Sequence, residues 1–215
     1  LYHNGTDIAS NLTTPSATTT YSNGLNRYQV AAYTNGYESP LSNSIIVVDG
    51  NAQTSQLSLE EDDYLYGLSG SQLTVSGTLS NSNAKHLILE DGARLVNSSE
   101  GVKATVKKAI TPYTAGEKDG WHLIASPMTE TLDASEVARL LSNDYDLYTF
   151  DQSQDQEWRN YEAQAFDISN KTGYLYANSA NTTLTFSGTL AGAVEATPLA
   201  YDDQATYKGF NLIGN

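Results

Sequence analysis

The chain has 215 residues, with 11 lysines and arginines against 25 aspartates and glutamates, giving a formal net charge of −14 at pH 7. So acidic a surface repels phosphate backbones and anionic lipid headgroups, which sets aside nucleic-acid binding and electrostatic membrane docking. The absence of cysteine excludes a disulfide framework, a thiolate metal site and a cysteine nucleophile, and no run approaches the roughly 18 apolar residues of a membrane span.

From the N-terminus onward, short β-branched or aromatic runs are separated every eight to twelve residues or so by Asn-Gly, Asp-Gly or Ser-Gly. That rhythm predicts an all-β fold, an antiparallel β-sandwich that is jelly-roll-like in its main part. Residues 28–33 alternate, placing Tyr28, Val30 and Ala32 on one face; Asn35-Gly36 predicts a turn, and Ser44 to Val48 forms an apolar run before Asp49-Gly50. The polar, aperiodic stretch from Asp49 to Gln56 predicts a domain boundary. Residues 1–50 then form a block too small to bury a sandwich core alone, and residues 51–215 form a β-sandwich domain that continues beyond residue 215. Further strands are predicted at 72–75, 86–89, 102–110, 121–125, 145–150, 173–177 and 182–186. One helix of a turn or two is predicted where Asp133 caps, Glu136 completes a capping box, and Val137, Leu140 and Leu141 follow at helical spacing. Both ends read as cuts through a longer protein, because neither has the polar composition of a frayed terminus.

Two motifs recur. Leu73-Thr74-Val75-Ser76-Gly77-Thr78-Leu79 returns as Leu184-Thr185-Phe186-Ser187-Gly188-Thr189-Leu190, and Gly120-Trp121-His122-Leu123-Ile124-Ala125 returns as Gly209-Phe210-Asn211-Leu212-Ile213-Gly214. Tyr28-Gln29-Val30-Ala31-Ala32-Tyr33, together with the turn Gly36-Tyr37-Glu38-Ser39-Pro40-Leu41-Ser42, resembles the last strands of a fibronectin type III module. The resemblance implies that residues 1–50 are part of an immunoglobulin-like sandwich whose early strands lie upstream. Residues 73–215, through Gly120-Trp121-His122-Leu123-Ile124-Ala125-Ser126-Pro127, Glu157-Trp158-Arg159-Asn160-Tyr161 and Gly173-Tyr174-Leu175-Tyr176-Ala177, resemble a β-rich region of surface proteins exported by the type IX secretion system, including gingipain-type cleaved adhesins. That resemblance implies an extracellular or outer-cell-surface location and an architecture rather than an activity.

Residues that could carry chemistry are few. A hydrolytic triad needs a serine, a histidine and an orienting acid in fixed geometry; no G-x-S-x-G occurs, and Ser126 lies four residues after His122 on one predicted strand. His3, His86 and His122 are scattered singly, which argues against zinc. Asp151, Ser153, Asp155 and Glu157 stand at positions 1, 3, 5 and 7 of one loop, an oxygen-only spacing that can wrap Ca²⁺. Gln156 replaces the sharp-turn glycine of the helix-loop-helix calcium loop, so a polar hairpin loop is the other reading. The acidic run Glu60-Glu61-Asp62-Asp63 reads as solvated loop.

Aromatic residues offer a binding surface: Trp158, Tyr161, Tyr174 and Tyr176 could stack on sugar faces while carboxylates accept hydroxyl protons, or they could fill the sandwich core. Trp121, sharing a face with Leu123, is expected inside, and Trp158, among Glu157, Arg159 and Asn160, outside. The sequence thus predicts a non-catalytic adhesion or binding segment of a secreted or cell-surface bacterial protein, with a host or neighbouring-cell surface protein or glycan as partner, alongside other domains of the same chain. The alternative is an accessory region of a secreted peptidase or glycosidase. No cofactor beyond Ca²⁺ is expected.

Overall fold

A computed structural model describes residues 1–10, 12–14, 16–114, 116, 119–192 and 197–214. Among the described residues the regular secondary structure is almost entirely strand, with two short 3-10 turns, and the chain divides into two compact units, Leu1–Thr105 and Val106–Asn215.

In the first unit the strands are β1 (Tyr2–His3), β2 (Thr6–Asp7), β3 (Gly24–Gln29), β4 (Tyr33–Thr34), β5 (Tyr37–Glu38), β6 (Ile45–Asp49), β7 (Asn51–Ser58), β8 (Tyr64–Gly67), β9 (Gln72–Ser80), β10 (Leu87–Leu89) and β11 (Arg94–Val96). From β12 (Lys103–Ile110) the chain passes into the second unit. The expected antiparallel pairing fails in the middle of the first unit. Strands β6, β8 and β10 pair in parallel, and so do β7, β9 and β11. Because β6 leads to β7, β8 to β9 and β10 to β11, each pair of strands makes one coil, and three coils stack in register as a short β-solenoid. The apolar rungs are Ile46–Leu65–Leu87 and Val48–Gly67–Leu89 in one sheet and Leu73 and Val75 in the other. Alternation places these residues inside and Gln72, Thr74 and Ser76 outside.

The corners stack as well as the strands. Gly50 and Gly70 adopt the left-handed conformation that lets the chain turn within a residue or two, and the backbone bonds Leu68 N to Val48 O and Glu90 N to Gly67 O, at 3.1 and 2.9 Å, tie successive coils at the turn. The polar stretch 49–56, which reads as a linker from composition, is therefore mostly the strand β7; it is polar because its side chains alternate outward. Asp63, at the end of the acidic run, is buried and accepts Ser44 N at 2.6 Å and Glu60 N at 3.3 Å, so it caps a corner rather than lying in solvent.

The first strands lie beside this stack. Strand β3 pairs antiparallel with β6, and β1 and β2 follow outward, so the parallel sheet does not end on an open β6 edge. The alternation at Tyr28, Val30 and Ala32 stops early: β3 ends at Gln29, Val30 and Ala32 are exposed, and Tyr28 stacks on His3 at 4.8 Å. Asn35-Gly36 forms the expected turn, with both residues at positive φ, joining β4 and β5.

The second unit contains β13 (His122–Ile124), β14 (Tyr145–Phe150), β15 (Trp158–Asn160), β16 (Tyr174–Asn178) and β17 (Thr182–Thr189). Here pairing is antiparallel, in the order β13-β16-β14-β15. Its core gathers Ile124, Leu147, Tyr174, Tyr176, Leu184 and Phe186 with Met128, Leu132, Val137, Leu140 and Ile168. The capping box forms as expected, but Asp133 and Glu136 cap only a 3-10 turn, Ala134–Glu136, after which Val137 and Leu140 enter the core as extended chain and turn. Among the described residues no helix is long and apolar enough to cross a membrane.

Candidate functional site

The site is built on the β14–β15 hairpin. Phe150 pairs with Trp158, and the loop between them is closed by Asp151 N donating to Glu157 O at 2.8 Å. The Asp151 carboxylate turns back to accept Ser153 N at 3.0 Å and Ser153 Oγ at 2.7 Å, an Asx turn that fixes the loop start. The Ser153 hydroxyl, with further help from Ser153 N, Gln154 and the charge of Arg159, outweighs partial burial and holds the Asp151 carboxyl below its ordinary range.

Two buried side chains of this loop reach across to residues 200–210. Gln152 donates from Nε2 to Ala200 O at 2.8 Å and Phe210 O at 3.2 Å, and its Oε1 accepts Asp202 N at 2.8 Å and Gly209 N at 3.0 Å. Glu157 accepts the backbone N–H groups of Thr206 and Tyr207. Asn211 adds a second tie, accepting Ala200 N at 2.9 Å and donating to Ala200 O and Gly209 O at 3.0 Å each. A segment without regular structure is thus pinned through its own backbone groups.

The clasp engages the four residues of the expected calcium loop in different ways. Of the four predicted ligands, Glu157 is buried and bonded to the 206–207 backbone, Ser153 donates its hydroxyl to Asp151, and Asp155 stands exposed in solvent. Among the described residues no three His, Asp or Glu side chains converge as a metal-binding group. The Ser153 hydroxyl and the Asp151 and Glu157 carboxylates hold the loop and its contact to residues 206–207.

Pinning residues 200–210 has two consequences. The first is a row of aromatic rings on the outer face of the four-stranded sheet: Trp121 contacts Tyr148 at 6.1 Å, and Phe150, two residues along the same face as Tyr148, meets Trp158 at 5.2 Å, Phe210 at 4.8 Å and Tyr207 at 6.3 Å. The second is an open surface depression of about 530 Å³ lined by Asp151, Gln152, Ser153, Ala200, Tyr201, Asp202 and Asp203.

The predicted ring set is redistributed. Tyr174 and Tyr176, 2% and 0% exposed, sit on the inner face of central strand β16 and present no ring to a ligand. Their hydroxyls are satisfied inside, Tyr174 donating to Asp167 O and Tyr176 to Leu140 O, each at 2.9 Å. Tyr161 lies against the core, edge-on to Phe166 at 5.3 Å. Trp158 remains at the surface row but is half-buried under Phe210, whereas Trp121 is 43% and Leu123 69% exposed, the reverse of the expected order for the two tryptophans. The register explains it: β13 aligns Ile124 with Tyr174 and His122 with Tyr176, so those residues face inward and Trp121 and Leu123 face out. The rings not named as binding candidates from the sequence, Tyr201, Tyr207 and Phe210, lie in a stretch with no strand period, where the repeat pairing Phe210 with Trp121 was the one mark.

Ser126 and His122 are not brought together. Ser126 is buried with Oγ accepting Met128 N at 3.1 Å, and His122 Nε2 lies 3.1 Å from Thr111 O.

Three carboxyls of this unit are held below their ordinary 3.8: Asp119 chiefly by the Thr114 backbone N–H, Asp133 chiefly by the Ser135 hydroxyl, and Asp151 chiefly by the Ser153 hydroxyl. A depressed folded-state value stabilises above the unfolded value and is lost as pH falls through the folded one. The urea midpoint of the second unit should therefore be flat from neutral pH down to about 5 and decline below about 4. Asp133→Asn with Asp151→Asn should make that decline shallower; an unchanged acid limb would contradict the assignment.

Comparison of the chain with protein-family models, with curated proteins and with solved structures gave no match.

Proposed function

We propose that this chain is a non-catalytic binding segment of a secreted or cell-surface bacterial protein, and that the outer face of its second unit is the contact surface. One observation carries the reading: aromatic rings gather on the outer face of the sheet, Trp121 against Tyr148 and Phe150 against Trp158, Phe210 and Tyr207, with Trp121, Tyr207 and Phe210 exposed, while Gln152 and Glu157 pin the backbone that carries Phe210 and Tyr207. Contiguous exposed apolar surface marks a contact site in a soluble domain, and large rigid rings give area at low ordering cost. The resemblances to fibronectin type III strands in residues 1–50 and to type IX-exported surface proteins in residues 73–215 support an extracellular setting.

The test is a binding screen of the immobilised segment against extracellular-matrix proteins and a glycan panel. Saturable binding to at least one member is expected. Trp121→Ala with Phe210→Ala, both at half-exposed positions, should weaken it by about tenfold or more. Absence of saturable binding to every member overturns the reading.

A further inference from the structure

The geometry points to a saccharide subsite in the depression between the β14–β15 loop and residues 200–203, taking one uncharged pyranose of a longer chain whose following units lie along the ring row. This deepens the binding role above and depends on it. The depression, about 530 Å³, falls in the size range of small-molecule sites. Carboxylates by themselves would mark only a solvated loop; the open depression they line and the ring of Tyr201 at its edge make this one different. Tyr201 is 72% exposed at the depression although its neighbours Ala200 and Asp202 are bonded to buried Gln152, so the ring is held out on a fixed backbone.

The lining then selects among ligands. Asp151, Asp202 and Asp203 supply acceptors, and among the described residues no lysine or arginine lines the depression, so phosphate, sulfated and uronic-acid ligands are repelled. The carboxylates do not converge with others as a metal-binding group, which fits a ligand with several separated donors. Asp202 and Asp203 are each anchored through Oδ1, by Gln204 N and Gln204 Nε2 at 2.8 Å, and no bond to either Oδ2 is found among the described contacts. Hydroxyl groups around a pyranose match such acceptors, while its apolar C–H face matches an exposed ring. A basic peptide would use the same carboxylates, but exposed ion pairs contribute little and leave the ring row unused. The Tyr201 ring lies against Gly209, the residue before Phe210, and Phe210 packs on Phe150, which favours a chain of flat, repeated units.

Calorimetric titration of the whole chain with neutral hexasaccharides, β-1,4-linked glucose, β-1,4-linked xylose and α-1,6-linked mannose, against hexalysine and hexagalacturonate tests this. At least one neutral hexasaccharide should bind saturably and hexagalacturonate should not. Tyr201→Ala should weaken that binding about tenfold and Asp202→Asn with Asp203→Asn several-fold, both with unchanged circular dichroism. Binding of hexalysine alone, or sugar binding indifferent to both variants, overturns the site. A positive screen against matrix proteins with no sugar binding also overturns the site but leaves the binding role standing; silence in both experiments overturns both.

Discussion

Leu65→Ala should cost the first unit about 2–5 kcal/mol, and the loss should appear in all three coils together. Leu65 is fully buried between Ile46 on one neighbouring strand and Leu87 on the other. In a parallel stack those neighbours are fixed by register, so they cannot slide to fill the space left by the isobutyl group, and the cavity term adds to the transfer term. Stacked coils each contact only the next, so a weakened middle coil uncouples those on either side. Hydrogen exchange under native conditions reads this directly: the amides of Ile46, Leu65 and Leu87 should all exchange faster in the variant. Thr74→Ala, on the outward face of β9, should change stability by no more than about 0.5 kcal/mol. A loss below about 1 kcal/mol for Leu65→Ala, or faster exchange confined to β8, would contradict a stacked core.

What the sequence made legible was period and punctuation. Ser44 to Val48 announces a strand as an apolar run, 72–75 announces the start of β9, which extends to Ser80, 145–150 announces β14, and Asn35-Gly36 announces its turn through the positive φ both residues adopt. Pairing direction was not legible. A strand with one buried face has the same pattern whether its neighbour runs parallel or antiparallel, and the solenoid spacing from Ile45 to Tyr64 to the next rung is close to that of a hairpin sandwich. Exposure of single strands was also hidden, because Trp121-His122-Leu123-Ile124 is apolar on both faces, and only its register against Tyr174 and Tyr176 decides which face turns inward. For the site, the polar loop 151–157 stood out by its oxygen spacing, but the contacts it makes are with partners about fifty residues away in sequence, at Asp202, Thr206 and Tyr207. No local spacing encodes such a contact, and the oxygen pattern of a cation loop and that of a backbone clasp look alike on the line.

Gln152→Ala should release residues 200–210 while leaving the core of the second unit intact. The native amide saturates four backbone groups at once, Ala200 O, Phe210 O, Asp202 N and Gly209 N. Deleting it removes four hydrogen bonds and leaves Asp202 N, Gly209 N and Phe210 O without that partner, while Ala200 O keeps Asn211 Nδ2; at roughly 1 kcal/mol for each net hydrogen bond the loss comes to about 2–4 kcal/mol. A segment without regular secondary structure cannot absorb that locally, so opening to water becomes its cheapest response. Exchange of the Asp202 and Gly209 amides should rise by roughly 30- to 1,000-fold, since each 1.4 kcal/mol is a factor of ten. The amides of Leu147 and Tyr176, in the sheet beneath, should keep their protection. Phe210 should lift from Phe150, where it now packs edge-on at 4.8 Å, and the fluorescence of Trp158 beside it should shift toward that of a solvated indole. Glu157→Gln is the contrasting change: its Oε1 can still accept Thr206 N and Tyr207 N, so exchange in the loop should rise only a few-fold. If Gln152→Ala leaves Asp202 and Gly209 as protected as before, the loop is held by something other than this clasp, and the rigidity attributed to the ring row fails with it.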